Sequence, residues 1–356
     1  MRNPEPLVTV VIPAYKAEAY LERTVRSARA QTVQATEILI IDDGSPDGTA
    51  ALADALATQD ARIIVHHTPN RGVAAARNLG IDRARAPFVA FLDADDLWHP
   101  TKLKRQLDRL HQLDGTHRVG AVYAWIRFID EDDRYIKDGV NWREEGDILA
   151  RHVVFNFAGG GSTVLCPTDI AREVGGFDSG ASKEFYGAED HEFQLKVAQR
   201  YRFAVPDGYV VGYRQHRASM SQDIRRMARS RGAVIERHIS EAGWLSPAVI
   251  RTARASNLVY EIEGHARANS AELVRTIARL AATDPVRLAS EAVRFPLLRA
   301  RDLKRAMTRQ LGGQAASFNE MSPDEGNPPR MSPVSRARLL RLAREDRKHS
   351  APMAKS

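Results

Sequence analysis

The sequence predicts an α/β fold in which a mostly parallel sheet is flanked by helices and followed by a helical extension. Between residues 7 and 91, short apolar runs rich in β-branched residues alternate with amphipathic stretches of helical length, as in parallel strands joined by crossover helices. Between residues 222 and 310, Ala and Arg are abundant and apolar residues recur at helical spacing. The 356 residues are enough for one large domain with a smaller appended region.

The predicted elements of the first part of the chain follow one another in strict alternation. The strands are Val8–Ile12, Glu37–Ile41, Arg62–His66 and Phe88–Leu92. The helices between them are Ala17–Ala30, Pro46–Thr58 and Gly72–Ala86. Because an open parallel sheet binds its ligands at the carboxyl ends of the strands, we expect the chemistry in the loops that follow those ends.

Composition excludes several classes of protein. The single cysteine, Cys166, permits neither an internal disulfide nor a cysteine-based metal cluster. The sequence contains no run of about 18 apolar residues, and its start lacks the basic and apolar pattern of a signal peptide. We therefore expect a cytoplasmic protein.

The patterns divide the chain into three parts. Residues 1–219 are predicted to form the sheet domain, and residues 220–311 a basic helical extension. Beyond Leu311 the chain turns to Gly, Ser, Pro and Asn, so residues 312–356 are predicted to be a disordered tail with a short helix from Pro333 to Arg347.

The net charge of +7 is unevenly distributed, since residues 220–356 contain 25 Lys and Arg against 14 Asp and Glu. A basic appendage favours contact with something anionic, and the inner face of a membrane is one candidate. The plain alternative is a solvated helical surface that covers the core or forms a dimer interface. Nucleic acid is not an expected partner, because no recognised binding motif accompanies the charge.

Three carboxylates follow the fourth predicted strand directly, at Asp93, Asp95 and Asp96. Close carboxylates repel one another, and a hard divalent cation such as Mg²⁺ or Mn²⁺ relieves that repulsion while bridging to phosphate oxygens. By itself the cluster fits a metal site and a solvated acidic turn equally well. Its position after a parallel strand favours the metal site.

A second polar strand end is Asp42-Asp43-Gly44-Ser45, after four aliphatic residues. A carboxylate at this place can accept a hydrogen bond from a nucleobase N–H. The alternative is that the acid caps the next helix, a role that Asp47 fits better than Asp43.

These segments stand in the order and spacing of the family 2 inverting glycosyltransferases, which the chain resembles over about residues 6–218. The first set of matching segments is Thr9–Tyr15, Asp42–Ser45, Asn70–Gly72 with Ala76–Asn78, and Asp93–Asp96. The second set is Val174–Asp178, Gly187–Asp190 and Tyr213–His216. The resemblance implies a GT-A type fold, a Rossmann-like mostly parallel sheet, and a hexosyltransferase-like activity on a nucleotide-diphosphate sugar donor.

The resemblance also implies roles for individual donor-side residues. Pro13, Tyr15 and Asp43 match positions that hold the nucleobase, and Asp93 matches a contact to the ribose or the donor sugar. Asp95 matches the acid that binds the Mn²⁺ or Mg²⁺ ion bridging the donor diphosphate. One departure is Lys16, which stands where the family commonly has Asn.

The acceptor-side roles follow from the second set of segments. His216 is the candidate for a second ligand of the metal or for a contact to the diphosphate. Asp190 matches the general base, and Gly160–Thr163 is expected near a glycan or lipid-linked acceptor. The expected reaction is therefore transfer of a sugar to an acceptor hydroxyl, in polysaccharide or lipid-linked glycan synthesis. The alternative from another class is a non-catalytic nucleotide-sugar-binding module of a glycan assembly complex.

Overall fold

The computed structural model describes residues 5–113, 118–180, 185, 187–216, 219–268, 270–292, 316–327, 331 and 333–348. The described strands are β1 Val8–Ala14, β2 Thr36–Asp42, β3 Ile63–His67, β4 Phe88–Phe91, β5 Leu97–Trp98, β6 Val119–Val122, β7 Trp125–Ile129, β8 Tyr135–Asp138, β9 Leu165–Pro167, β10 Arg202–Ala204 and β11 Tyr209–Arg214. The described α-helices are α1 Leu21–Arg29, α2 Thr49–Gln59, α3 Val73–Arg83, α4 Lys102–Gln112, α5 Leu149–Val154, α6 Thr168–Glu173, α7 Glu189–Ala198, α8 Ile224–Glu241, α9 Pro247–Arg267, α10 Glu272–Thr283 and α11 Pro333–Lys348.

The main sheet has seven strands in the order β10-β6-β9-β4-β1-β2-β3. All neighbouring strands run parallel except β9, which is antiparallel to both β4 and β6. The predicted mostly parallel sheet is therefore confirmed, including its four N-terminal strands and the three helices between them. The carboxyl ends of β4, β1 and β2 lie side by side, so the loops after these strands form one continuous edge.

The central strands are buried at every position because helices cover both faces of the sheet. Side chains alternate between two apolar cores, as the two-residue period of a strand requires. Val10 and Ile12 pack into the core that includes α1, α2 and α4, whereas Val11 packs into the core on the side of α3 and α7. On that second side, Gly80 lets α3 lie directly on β1, because a Cβ atom at this position would come within 2.2 Å of Val11 Cγ1.

A smaller sheet in the order β5-β11-β7-β8 extends the carboxyl edge of the main sheet. Strand β5 begins immediately after the acidic turn and pairs antiparallel with β11, where Gly212 lies opposite Leu97. Because β11 ends at Arg214, this pairing brings the chain that follows β11 back beside the acidic turn. The small sheet thus brings together the acidic turn and the end of β11, which are about 120 residues apart in sequence.

The extension after residue 220 is helical over its described part, as predicted. Helix α8 packs on α9, and α9 packs on both α10 and α5. Residues 293–311 of the predicted extension lie outside the described residues. Among the helices that the structure describes, none has both the length and the apolar character needed to cross a bilayer.

The tail differs from its predicted disorder wherever the structure describes it. Phe318 is buried against Leu97 and Ile129 of the small sheet. The predicted short helix is present as α11, and its Asp346 pairs with Arg151 of α5 at 2.7 Å. Disorder was predicted from the polar composition of the tail, and composition does not reveal contacts made by single residues. Residues 312–315, 328–330, 332 and 349–356 of the predicted tail lie outside the described residues, and the boundaries of the three predicted parts remain predictions.

Candidate active site

Three carboxylates follow β4 and each has a different environment. Asp93 is half-buried and accepts a hydrogen bond of 2.6 Å from Arg77 Nη2. Its own backbone N–H donates to Ser162 Oγ at 3.0 Å, which ties the acidic turn to the glycine-rich segment before β9. The turn is therefore held from two sides.

Asp96 is the buried acid of the turn. Its Oδ2 accepts from Ser162 Oγ at 2.6 Å, and its Oδ1 accepts from the backbone N–H of Arg214 at 2.9 Å. Burial raises the pKa of Asp96 well above its ordinary range, and the negative charges of Asp95 and Asp93 raise it further. Because both oxygens are used inside the protein, Asp96 joins the acidic turn to the end of β11 and does not face the cleft.

Asp95 is the acid that remains available to a ligand. Its Oδ2 lies 2.9 Å from His216 Nε2, and the side chains of Asp95 and His216 are 34% and 12% exposed. The ring of His216 packs against Tyr20 with 5.0 Å between centroids, so the imidazole is held in place beside the carboxylate. Arg214 supports the other side by donating from Nε to the Asp95 carbonyl at 2.6 Å.

The Asp95 and His216 pair fits a divalent metal that takes its other ligands from a substrate. The pair offers one carboxylate oxygen and one imidazole nitrogen, and no Lys or Arg side chain binds the Asp95 carboxylate within the described chain. In the same part of the chain, no group of three His, Cys, Asp or Glu side chains is arranged to hold a metal alone. Mg²⁺ in particular is commonly held by one or two carboxylates plus substrate phosphates and water.

Arg77 connects the acidic turn to the start of α7. Its side chain is buried, and its guanidinium donates to Asp93 at 2.6 Å and to Glu189 Oε1 at 3.0 Å. Burial lowers the pKa of Arg77, but the charges of Asp93 and Glu189 outweigh that effect and leave the pKa raised. A permanent cation thus holds two carboxylates of the site at a defined separation.

Asp190, the predicted general base, lies in the first turn of α7 next to Glu189. Its Oδ1 accepts from the backbone N–H of His191 at 2.6 Å. Its Oδ2 faces Gly160, where a Cβ atom would lie only 3.5 Å from that oxygen. Burial and then the charge of Glu189 raise the pKa of Asp190 to about 7, against the opposing charge of Arg77.

The three predicted nucleobase residues lie at the neighbouring ends of β1 and β2. Pro13 is buried within β1 opposite Ile41, and Tyr15 just beyond the strand is 47% exposed. Asp43 is buried, and its two oxygens accept from the backbone N–H groups of Arg71 and Gly72 at 2.8 and 2.7 Å.

Asp43 therefore holds the loop before α3 while it lies at the edge of the cleft. Neither Asp43 nor Asp47 is the N-cap of α2, which is Gly48, although Asp47 Oδ1 accepts from the backbone N–H of Thr49, the first residue of the helix, at 3.2 Å. A carboxylate oxygen has a second lone pair, so these bonds leave Asp43 able to accept from a base N–H.

Lys16, the departure from the family pattern, lies in a left-handed backbone conformation. Lys16 is exposed and has a φ of 53°, in the left-handed region that Asn tolerates better than most residues. Its backbone N–H donates to Ser45 Oγ at 3.3 Å, which joins the loops after β1 and β2. A left-handed φ suits Asn, and nothing in the structure explains the Lys side chain at this place.

Two residues that organise the site, Arg77 and Arg214, had no individual role in the sequence-based prediction, and Ser162 was predicted only as part of Gly160–Thr163 near the acceptor. Arg77 and Arg214 lie within matching segments, but nothing in the sequence shows which carboxylates they contact. The available signal for Arg77 was a charged residue in the helical segment Val73–Ile81, where Asn78 is the other polar residue. Nothing in the sequence indicated that Ser162 contacts the acidic turn, because its bonds to Asp93 and Asp96 join segments 69 and 66 residues apart.

Part of the chain matches the model of a known protein family. The model of glycosyl transferase family 2 matches residues 9–165. TuaG of Bacillus subtilis strain 168, described as a putative teichuronic acid biosynthesis glycosyltransferase, is 43% identical over 109 residues, which make up 30% of this chain and 43% of TuaG. The chain spans about half the length of the curated relatives it matches.

Two solved structures share the fold. The crystal structure of S. aureus TarS 1-349 in complex with UDP-GlcNAc has a TM-score of 0.55 and 19% identity over 80% of this chain and 83% of that chain. The mannosyltransferase PcManGT from Pyrobaculum calidifontis, in complex with GDP-Man and Mn2+, has a TM-score of 0.52 and 21% identity over 81% of this chain and 86% of that chain. With the edge of acids after β4, these similarities show that residues 9–165 match glycosyl transferase family 2 and that the chain shares its fold with these two glycosyltransferase structures.

Proposed function

We propose that the protein transfers a sugar from a nucleotide-diphosphate sugar to an acceptor hydroxyl and inverts the anomeric centre. The observation that carries this proposal is the continuous edge formed by the ends of β2, β1 and β4, which leads through Arg77 to Asp190. Asp43 and Tyr15 lie where a nucleobase would bind, and Asp93 and Asp95 lie where a sugar and a diphosphate would follow. The residues along this edge therefore follow the order of the parts of a nucleotide sugar, beginning with the nucleobase.

Asp95 and His216 would hold the Mn²⁺ or Mg²⁺ ion. Such an ion neutralises the negative charge that develops on a departing diphosphate without needing a proton. Asp93 has a different task, because its bond to Arg77 fixes its free oxygen beside the expected position of the donor sugar. The mannosyltransferase with the same fold is described in complex with GDP-Man and Mn2+, which supports a metal-bound donor here.

Asp190 would accept the proton of the acceptor hydroxyl. A general base must lie within about 3 Å of the proton that it removes. Because position 160 carries no side chain, no Cβ atom stands 3.5 Å from Asp190 Oδ2 on the side where that hydroxyl would approach. A single in-line displacement leaves no covalent intermediate and inverts the anomeric centre.

Replacement of Asp95 by Ala tests the donor site. We expect wild-type protein to be stabilised by Mn²⁺ together with one nucleoside diphosphate, by about 2.7 kcal/mol at a ligand concentration one hundred times the Kd. In Asp95→Ala this stabilisation should nearly vanish, because the ion loses its carboxylate. The measurement is the melting temperature with UDP, GDP, CDP, ADP and dTDP, each with and without Mn²⁺.

Asp108→Ala is the matched control, because Asp108 is an exposed acid that pairs only with Lys104 on the surface of α4. It should keep the full metal-dependent shift. An Asp95→Ala protein that still responds to Mn²⁺ and nucleotide as wild type does would show that the metal assignment is wrong.

The pH dependence of the reaction should report Asp190. A general base works in its deprotonated form, and the pKa of Asp190 is raised to about 7. We therefore expect kcat/KM to fall about tenfold per pH unit below pH 7 and to level off above it. Initial rates at fixed metal concentration between pH 5.5 and 8.5 measure this, and a flat profile across that range would contradict a base with a raised pKa.

A glycan or lipid-linked acceptor in polysaccharide synthesis remains part of the proposal, supported by the described role of the TuaG relative.

The basic helices offer weaker support for a membrane surface. Several of their arginines are neutralised by carboxylates, since Arg254 pairs with Glu236 and Arg279 with Glu261. Paired charges attract anionic lipid less than free ones, so the plain helical surface is now favoured over membrane contact.

A further inference from the structure

A cavity of about 330 Å³ lies beside the start of α7, outside the donor site. Its walls come from the segments around residues 140–142 and 154–157, from the start of α7, and from α8 and α9. The lining is mostly apolar and aromatic, with Trp142, Phe155, Phe157 and Tyr260 among its side chains. None of the predicted donor-site residues lines it.

One cation, Arg231 of α8, lines this cavity. Its guanidinium donates to the Val154 carbonyl at 2.9 Å, and no carboxylate pairs with it anywhere in the part of the chain that the structure describes. Burial lowers the pKa of Arg231 to about 10, while Tyr260 opposes that shift, so the group is charged at neutral pH. Other arginines of α8 and α9, such as Arg237 and Arg254, do have carboxylate partners.

A largely buried charge without a counter-ion is unfavourable unless something compensates for it. A single bond to a backbone carbonyl uses one of the five N–H donors of an arginine. The remaining N–H donors of the planar guanidinium can bind an oxyanion, and the apolar walls can contact an apolar group. The cavity is therefore built for a ligand that has an apolar face and an anionic group.

The cavity is next to the proposed base along two separate segments of chain. Phe157 lies in its wall, and three residues later the chain reaches Gly160, which faces Asp190. Gly187 and Ala188 also line it and lead directly into the first turn of α7, where Asp190 lies. The cavity wall thus comes within three residues of Gly160 on one segment and within two residues of Asp190 on the other.

We propose that this cavity binds the acceptor, and that the acceptor is a sugar ring carrying an oxyanion, a phosphate or a carboxylate, which pairs with Arg231. The aromatic walls contact the apolar face of the ring, and Arg231 sets its orientation. This proposal rests on the proposed transferase function, because only that function gives the cavity an acceptor to hold.

Binding of small acceptor mimics tests the proposal without any transfer reaction. The probes are phenyl phosphate, phenyl β-D-glucuronide and the neutral phenyl β-D-glucoside, and the readout is quenching of tryptophan fluorescence. Trp142 reports on the cavity, so Trp142→Phe should lose most of the signal. We expect both anionic probes, or one of them, to bind at least about tenfold more tightly than the neutral probe, as a charge-assisted hydrogen bond allows.

Arg231→Gln should reduce the affinity for the anionic probe to that for the glucoside, whereas Arg231→Lys should retain part of the preference. The control is Arg229→Gln, which removes an exposed arginine two residues away and should change nothing. The two anionic probes decide between phosphate and carboxylate. Equal binding of charged and neutral probes by wild type, or an unchanged preference in Arg231→Gln, overturns the proposal.

Two measurements distinguish failure of the cavity proposal from failure of the proposed donor site and from misfolding of the variant. Stabilisation by Mn²⁺ and nucleotide should be the same in Arg231→Gln as in wild type, and its absence from both would refute the donor site and leave the cavity result standing. If Arg231→Gln does not fold, the wild-type comparison still decides, because the preference for an anionic probe must weaken as salt rises if it is due to Arg231.

Discussion

Asp190→Asn is expected to lower the rate of sugar transfer by about 10² to 10⁴-fold, the contribution typical of a positioned general base. The amide keeps the size of the carboxylate, and its oxygen can still accept from the backbone N–H of His191. It cannot accept the proton of an acceptor hydroxyl. Donor binding should therefore be unchanged, and the loss should appear in kcat.

The control for this experiment is Asp169→Asn at the start of α6. Asp169 Oδ1 accepts from the next backbone N–H, that of Ile170, at 2.8 Å, so the two acids make the same local bond. Its side chain is far more exposed, and the substitution should leave transfer intact. If Asp190→Asn transferred sugar at the wild-type rate, the base assignment would be wrong. Wild-type protein that binds a donor and transfers it to no acceptor would favour the non-catalytic binding module instead.

Arg77→Met is expected to destabilise the protein by about 3–5 kcal/mol, the cost typical of removing one partner from a buried ion pair. The substitution leaves Asp93 and Glu189 without the cation that both of them contact. Methionine fills much of the space without restoring a donor. Urea unfolding at pH 7 measures the loss, and donor binding should weaken as well because Asp93 is no longer held in place.

Arg254→Met provides the comparison, since Arg254 makes a bidentate pair with Glu236 in which both side chains are about half exposed. Exposed pairs contribute about 0–1 kcal/mol, so this variant should remain close to wild type. A loss for Arg77→Met no greater than that for Arg254→Met would show that the buried bridge is not what holds the acidic turn against α7.

The strands and helices of the sheet domain were predictable because their residues satisfy local rules. Every position of β1 and β2 is buried, and successive side chains point to opposite faces of the sheet, so that both cores receive side chains from each strand. The position of the acidic turn followed from the same pattern, since it comes directly after a buried strand. Asp95 and His216 were named from family resemblance, and the structure places them 2.9 Å apart.

The separate environments of the acids were not predictable from sequence. Asp93, Asp95 and Asp96 are nearly adjacent, yet one pairs with Arg77, one lies beside His216 and one is buried against Ser162. Each difference depends on a partner far away in the chain. Spacing within the acidic turn carries no information about such partners.

The tail illustrates the same limit of composition. Its polar segments predicted disorder, but Phe318 fits between Leu97 and Ile129, and Asp346 accepts from both the backbone and the side chain at the start of α5. One apolar side chain and one carboxylate hold these segments on the domain. Average composition does not register contacts made by single residues.

The sequence by itself determined the first four strands of a mostly parallel sheet, the three helices between them and the edge at which polar residues collect, because backbone periodicity is a local property. Only the tertiary structure decided which acid is available to a metal, which cation bridges Asp93 and Glu189, and that an arginine with no carboxylate partner among the described residues lines a cavity near the start of α7. Those outcomes depend on burial and on pairing between distant segments. Such contacts form only when the chain folds, and they determine the charge of each group and which partners it can contact.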